Sequence, residues 1–116
     1  GSGMKWISDA PIDNHGKGSS FSPTDSLAGA LGACYMTIMG IAANAHEINI
    51  IGAQMNIQKS MSSNPRKIEK VTLRLHMPDK SYSPKQKAIL AKSAESCPVS
   101  RSLHPDMIID FQILWA

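Results

Sequence analysis

The run Leu-Ala-Gly-Ala-Leu-Gly-Ala-Cys-Tyr-Met-Thr-Ile-Met-Gly-Ile-Ala-Ala, Leu27 to Ala43, holds 17 residues and no charge. Just before it, Ser22 suits a helix cap, Pro23 the first helical position, and Asp25 the far end of a Ser-x-x-acid capping box. The sequence therefore predicts a helix that starts at Pro23 and is apolar around its whole circumference. Such a helix must be covered on every side. One sheet face and one further helix cannot enclose a cylinder ~12 Å across. A second copy of the chain is the simplest remaining cover, so a homodimer with its two long helices buried between the sheets is expected.

A bilayer is the other conceivable cover, but 17 uncharged residues fall short of the ~20 that span one. The rest of the chain reads largely as amphipathic strand, and no secretory signal is visible. A soluble, cytoplasmic protein without membrane association is expected. Net charge is only +3, with lysines and arginines scattered and aromatics at 5%; that pattern argues against a nucleic-acid partner. Gly1-Ser2-Gly3 ahead of Met4 reads as a tag remnant. The remainder, 4–116, fits one domain.

In chain order, Met4 to Ile7 could end a strand, and Asp9 to Ser20 is a loop punctuated by Pro11, Asn14, Gly16 and Gly18. Ile51, Ala53, Met55 and Ile57 alternate with polar or small residues, the period of a half-buried strand. Ser62-Ser63-Asn64-Pro65 is a turn. Val71, Leu73, Leu75 and Met77 then alternate with Lys70, Thr72, Arg74 and His76, which completes an antiparallel hairpin. Ser83-Pro84-Lys85-Gln86 repeats the helix-start grammar, and the helix it opens carries Ala88, Ile89, Ala91 and Ala94 and stops near Cys97-Pro98. A last strand places Met107, Ile109, Phe111, Ile113 and Trp115 on one face. Ile108 and Leu114 interrupt the opposite, polar face, as if a partner covered part of it. The fold class is α+β: a mostly antiparallel sheet with two helices on one face.

Chemistry has few candidates. No Cys-x-x-Cys occurs, and no His or Cys stands at zinc-ligand spacing from Cys34 or Cys97, so a metal site has little support. Free cysteine is among the most buried residue types, and both could be plain core. Context favours more. Cys97 precedes Pro98 at the start of a short helix, where peptide dipoles favour thiolate. Cys34 follows Gly32 and Ala33, whose small side chains admit a ligand or another backbone. Spacing alone does not show that the two sulfurs meet.

Several motifs carry a resemblance. Phe21-Ser-Pro-Thr-Asp-Ser-Leu27, Ala30-Leu-Gly-Ala-Cys34 and Met36-Thr-Ile-Met-Gly-Ile41 look like the central helix of the OsmC/Ohr family. Asn64-Pro-Arg-Lys-Ile68, Cys97-Pro-Val-Ser-Arg-Ser-Leu-His-Pro105 and a final strand ending in Trp115 are similar to later parts of it. The resemblance runs from about Asp9 to Trp115. It implies an intertwined α+β homodimer and a thiol peroxidase that reduces organic hydroperoxides. Cys34 would be the peroxidatic nucleophile and Cys97 the resolving thiol, their disulfide being reopened by an external dithiol.

Two departures accompany the resemblance. The family's hydroperoxide-resistance members carry a glutamate ten positions before the nucleophile; here Thr24 stands there, with Asp25 beside it as a stand-in. No arginine precedes Arg66, so the family's activating arginine has no counterpart in an N-terminal strand, and the N-terminal hairpin reads as shortened. Arg66 or Arg101 from a partner subunit could supply the cation. The alternative is a protein of this shape that has lost peroxidase activity and binds a small apolar ligand in a methionine-lined pocket, seven methionines being available.

Overall fold

Why the apolar run becomes a helix of 23 residues is visible at its start. The computed structural model describes residues 1–116 and places helix α1 over Pro23–Ala45. The Ser22 hydroxyl accepts the Asp25 N–H at 3.0 Å, and the Asp25 carboxylate accepts the Ser22 N–H at 3.2 Å. Both halves of the capping box are therefore made, and Pro23 occupies the first turn as its lack of an N–H allows. Ser22 is itself buried. Ser22→Ala removes the acceptor and is expected to cost about 1–2 kcal/mol, read as a lowered denaturant midpoint; an unchanged midpoint would show that the cap carries no stability.

Strand β1 covers Gln54–Ser62 and strand β2 covers Lys67–His76. They form the expected antiparallel hairpin, with Met55 opposite Leu75 and Ile57 opposite Leu73. Helix α2 runs Pro84–Ser93 behind a second complete capping box, Ser83 with Gln86. A 3-10 turn over Ala94–Ser96 and a single-turn helix α3, Pro98–Arg101, lead to strand β3, Ile108–Leu114.

β3 lies beside β2 and runs parallel to it, with Leu73 against Phe111 and Leu75 against Ile113. The sheet order β1-β2-β3 is thus one antiparallel and one parallel pair. The reason is the connection: a tight turn returns a strand antiparallel, whereas the helices between β2 and β3 carry the chain back to start from the same end. On the face away from the helices, Arg74 fastens this parallel pair, donating to the Asp110 carbonyl at 2.9 Å and to both Asp110 carboxylate oxygens at 3.2 and 2.9 Å.

α1 and α2 pack on one sheet face. The buried stripe of α1 is Ala28, Leu31, Gly32, Tyr35, Met39 and Ala43, two interleaved series at helical spacing that lie on one side. At Gly32 a Cβ would overlap Ile57 of β1, so glycine is what lets helix and strand close up there. β2, the central strand, buries Val71, Leu73 and Leu75 completely. α2 meets the core through Leu90, while its Ala88 and Ala91 face outward.

Two other local expectations are corrected. Met4 to Ile7 forms no strand; Met4, Trp6 and Ile7 have no paired neighbour to lie against and are exposed. Ile51 is not in the first strand but in a turn, 79% exposed, because Gly52 at φ 102° bends the chain before pairing begins at Gln54.

The opposite side of α1 is uncovered in the single chain. Ala30, Ala33, Thr37, Ile41 and Asn44 form an exposed row, with Ile41 63% exposed. By length and composition α1 could cross a bilayer. Its inner stripe, however, is taken up by the sheet and α2.

Candidate active site

The cysteines come from two elements that pack together. Cys34 is mid-way along α1, and Cys97 is the N-cap of α3, where the Ser100 N–H donates to its sulfur at 3.4 Å. α3 lies against α1, which brings the sulfurs together closely enough to influence each other's proton, without an aligned hydrogen bond between them. Both are free thiols. The Val99 N–H faces both sulfurs.

Their environments differ. Cys97 is fully buried, whereas Cys34 is only partly buried. Burial pushes the Cys34 thiol above the ordinary cysteine value, and the neighbouring Cys97 sulfur adds to this. For Cys97, burial acts in the same direction but is outweighed by the Cys34 thiol, the Ser100 N–H and hydroxyl, and the Val99 N–H, so its ionisation lies below the ordinary value. The two sulfurs therefore titrate as a pair, each setting the other's proton affinity.

Tyr35 closes the inner side. Its ring stacks on Phe111 of β3, centroids 4.5 Å apart and 10° from parallel. Its phenol lies beside the Ser100 side chain, and burial raises its ionisation above the usual tyrosine value. Sequence reasoning missed both Tyr35 and Ser100. Only their positions next to Cys34 and three past Cys97 could have signalled them.

Asp25 is not brought to the sulfurs. It precedes Cys34 by nine helical positions, roughly 13 Å along the axis and half a turn around it. Its carboxylate is engaged by the Ser22 N–H and by Lys59 Nζ at 3.0 Å, and the Lys59 ammonium leads the contacts that hold it below the usual carboxylate range. Thr24, at the glutamate position of the resemblance, lies beside the cap with its hydroxyl 3.1 Å from the Ser22 hydroxyl. Within the same chain, Arg66 is directed at Asp13 at 3.7 Å and Arg101 at the Glu95 carbonyl at 3.1 Å.

A cavity of ≈ 700 Å³ opens beside Asp25 and Lys59, walled by Trp6, Phe21, Gly29 and Ile57. Gly29 and Asp25 face it from five and nine positions before Cys34, which is the far side of α1 from the sulfurs. None of the chain's three cavities is lined by either cysteine.

A helix-backed mixed sheet that presents one accessible and one buried thiol as neighbours defines a dithiol protein of α+β class. Residues 16–112 match the family described as OsmC-like protein, and the chain belongs to that family. It is similar to an osmotic stress induced and detoxification response protein from Psychrobacter arcticus: 39% identity over 92% of this chain and 77% of that one, TM-score 0.85. Two further structures share the fold. One, from Legionella pneumophila, is described as the organic hydroperoxide resistance protein OsmC (22% identity, 90% of this chain and 77% of that one, TM-score 0.72). The other is the organic hydroperoxide resistance protein OhrB of Bacillus subtilis (22% identity, 83% and 72%, TM-score 0.58). Among curated proteins none matches the chain.

Proposed function

We propose that the protein is a thiol peroxidase for organic hydroperoxides, with Cys34 as the peroxidatic and Cys97 as the resolving sulfur. The observation that carries this reading is the packing of a partly accessible thiol against a fully buried one. A peroxide arriving from solvent meets Cys34 first. As the Cys34 sulfur attacks the outer peroxide oxygen, its proton passes to the Cys97 thiolate beside it. The O–O bond breaks, Cys34 becomes a sulfenic acid, and the departing alkoxide takes up that proton and leaves as the alcohol. Cys97, again a thiolate, attacks the sulfenic sulfur and forms the disulfide; hydroxide leaves and is protonated to water. An external dithiol then returns both thiols by exchange, itself becoming a disulfide.

The same reading calls for a homodimer. The exposed row on α1 carries no charge and, Asn44 apart, is apolar or small-chained, and Cys34 borders it next to Ala33. A partner helix laid along this row would wall the Cys34 sulfur and could bring a cation to it. The reaction needs no metal or organic cofactor. Treating the reduced protein with one equivalent of an alkyl hydroperoxide is expected to consume both thiols and yield an intramolecular disulfide, seen by thiol counting and mass spectrometry. Survival of both thiols in excess hydroperoxide would overturn the reading.

A second reading rests on the ≈ 700 Å³ cavity, which could hold a small apolar ligand between Trp6 and Phe21 without involving the sulfurs. Surviving thiols together with a ligand-dependent change in Trp6 fluorescence would favour it.

A further inference from the structure

The chemistry proposed for the two sulfurs leaves one group of polar atoms unused. Behind the buried sulfur, Ser100 makes two contacts to Cys97 that differ in kind. Its N–H donates to the sulfur at 3.4 Å, and its hydroxyl donates to the Cys97 carbonyl at 2.9 Å. The hydroxyl also lies beside the Cys97 sulfur and beside the Tyr35 phenol. Tyr35 cannot drift away, because its ring is buried and held flat on Phe111. The chain of groups runs from the β3 ring to the phenol, to the serine, to the sulfur.

We propose that Tyr35 and Ser100 are positioning residues for the resolving sulfur: the phenol holds the Ser100 side chain, and Ser100 holds Cys97 aimed at Cys34 and polarised for attack. This deepens the peroxidase reading and rests on it for its place in the reaction, although the arrangement itself exists in the reduced protein.

The physical reason lies in burial. A thiolate withdrawn from water loses its hydration, and only hydrogen-bond donors can replace it. Cys97 is completely buried, and no cation supplies the compensation. Arg101 of α3 is turned to the Glu95 carbonyl, and Asp110, Arg74 and Lys70 interact with one another on the far face of the sheet. The ionisable groups that face Cys97 are Cys34 and Tyr35. Once Cys34 has become a sulfenic acid, its thiol no longer stands beside Cys97 to offset the charge. The Ser100 and Val99 N–H groups then remain to stabilise the attacking thiolate, and the Ser100 hydroxyl, bonded to the Cys97 carbonyl, holds that turn in place. The hydroxyl is the member that a side-chain substitution can remove, and Tyr35 is the group that orients it.

The test compares wild type with Tyr35→Phe, Ser100→Ala and Ser100→Thr as full-length reduced proteins. Tyr35→Phe keeps the ring on Phe111 and deletes only the hydroxyl. The ionisation of Cys97 is followed by NMR of isotope-labelled cysteine across pH, which requires no peroxide. Cys97 should ionise at higher pH in Tyr35→Phe and Ser100→Ala by about one unit, and near the wild-type value in Ser100→Thr. With one equivalent of alkyl hydroperoxide and a sulfenic-acid trap present, the same two variants should yield about tenfold more trapped Cys34, because closure of the disulfide is slower. An unshifted Cys97 titration in both Tyr35→Phe and Ser100→Ala overturns the proposal; if Ser100→Ala does not fold, Tyr35→Phe decides alone. Shifted titrations in a protein that consumes no peroxide would support the positioning role and overturn the peroxidase reading instead.

Discussion

Cys34→Ser is expected to consume essentially no organic hydroperoxide, a loss of about a thousandfold or more, because the only thiol open to solvent is gone. Cys97→Ser should behave differently. A single equivalent of peroxide should still be consumed, more slowly because the neighbouring base is gone, and the reaction should halt at a sulfenic acid on Cys34, open to further oxidation. The two variants therefore separate the half-reactions. In the wild type, both steps need a charge on the pair, and the inner sulfur ionises below the ordinary thiol value. The rate should rise with pH through that ionisation and level off above it. An alkyl hydroperoxide should react faster than hydrogen peroxide if an apolar wall completes the site, by roughly 0.8 kcal/mol per methylene buried. Stopped-flow measurement of peroxide loss in the three proteins reads all of this. Rapid consumption by Cys34→Ser would assign attack to the buried sulfur and reverse the two roles.

Ile41→Lys is expected to turn a dimer into a monomer. Ile41 stands on the exposed row of α1, one turn from its C-terminus, and is 63% exposed in the single chain. A lysine there suits the negative end of the helix and should leave the subunit's own stability nearly unchanged. Set into a dry helix–helix contact, the same ammonium would be desolvated without a partner, and the penalty is several kcal/mol. Four kcal/mol is about a thousandfold in the dissociation constant. Light scattering at micromolar concentration should therefore report a dimer for the wild type and a monomer for Ile41→Lys. A monomeric wild type would remove the partner from the site. Peroxidase activity that falls in step with dissociation would indicate that the partner completes the wall around Cys34.

None of these three variants touches the capping box, the hairpin or the buried stripe, the features most easily read in the chain itself. The start of α1 was legible because Ser22, Pro23 and Asp25 act within one turn, where sequence neighbours are spatial neighbours. The hairpin was legible because the alternation from Met55 to Met77 has the period of a half-buried strand and the turn between is short. The two cysteines stood out from their local contexts, and family resemblance supplied roles for them.

Other features depended on contacts between residues distant in sequence. The direction of β3 followed from the path through α2 and α3, which no local pattern encodes. The engagement of Asp25 depended on Lys59, a residue of β1 that only the packing of helix on strand brings within 3.0 Å. Tyr35 and Ser100 became visible as a pair only once α3 lay against α1. By itself the sequence determined the elements, their amphipathic faces and the two sulfurs, because helix caps, turns and hydrophobic periods act over a few residues. The tertiary structure alone decided that those sulfurs are neighbours and which of them is buried, because proximity between Cys34 and Cys97 is created by packing and burial is a property of the whole fold.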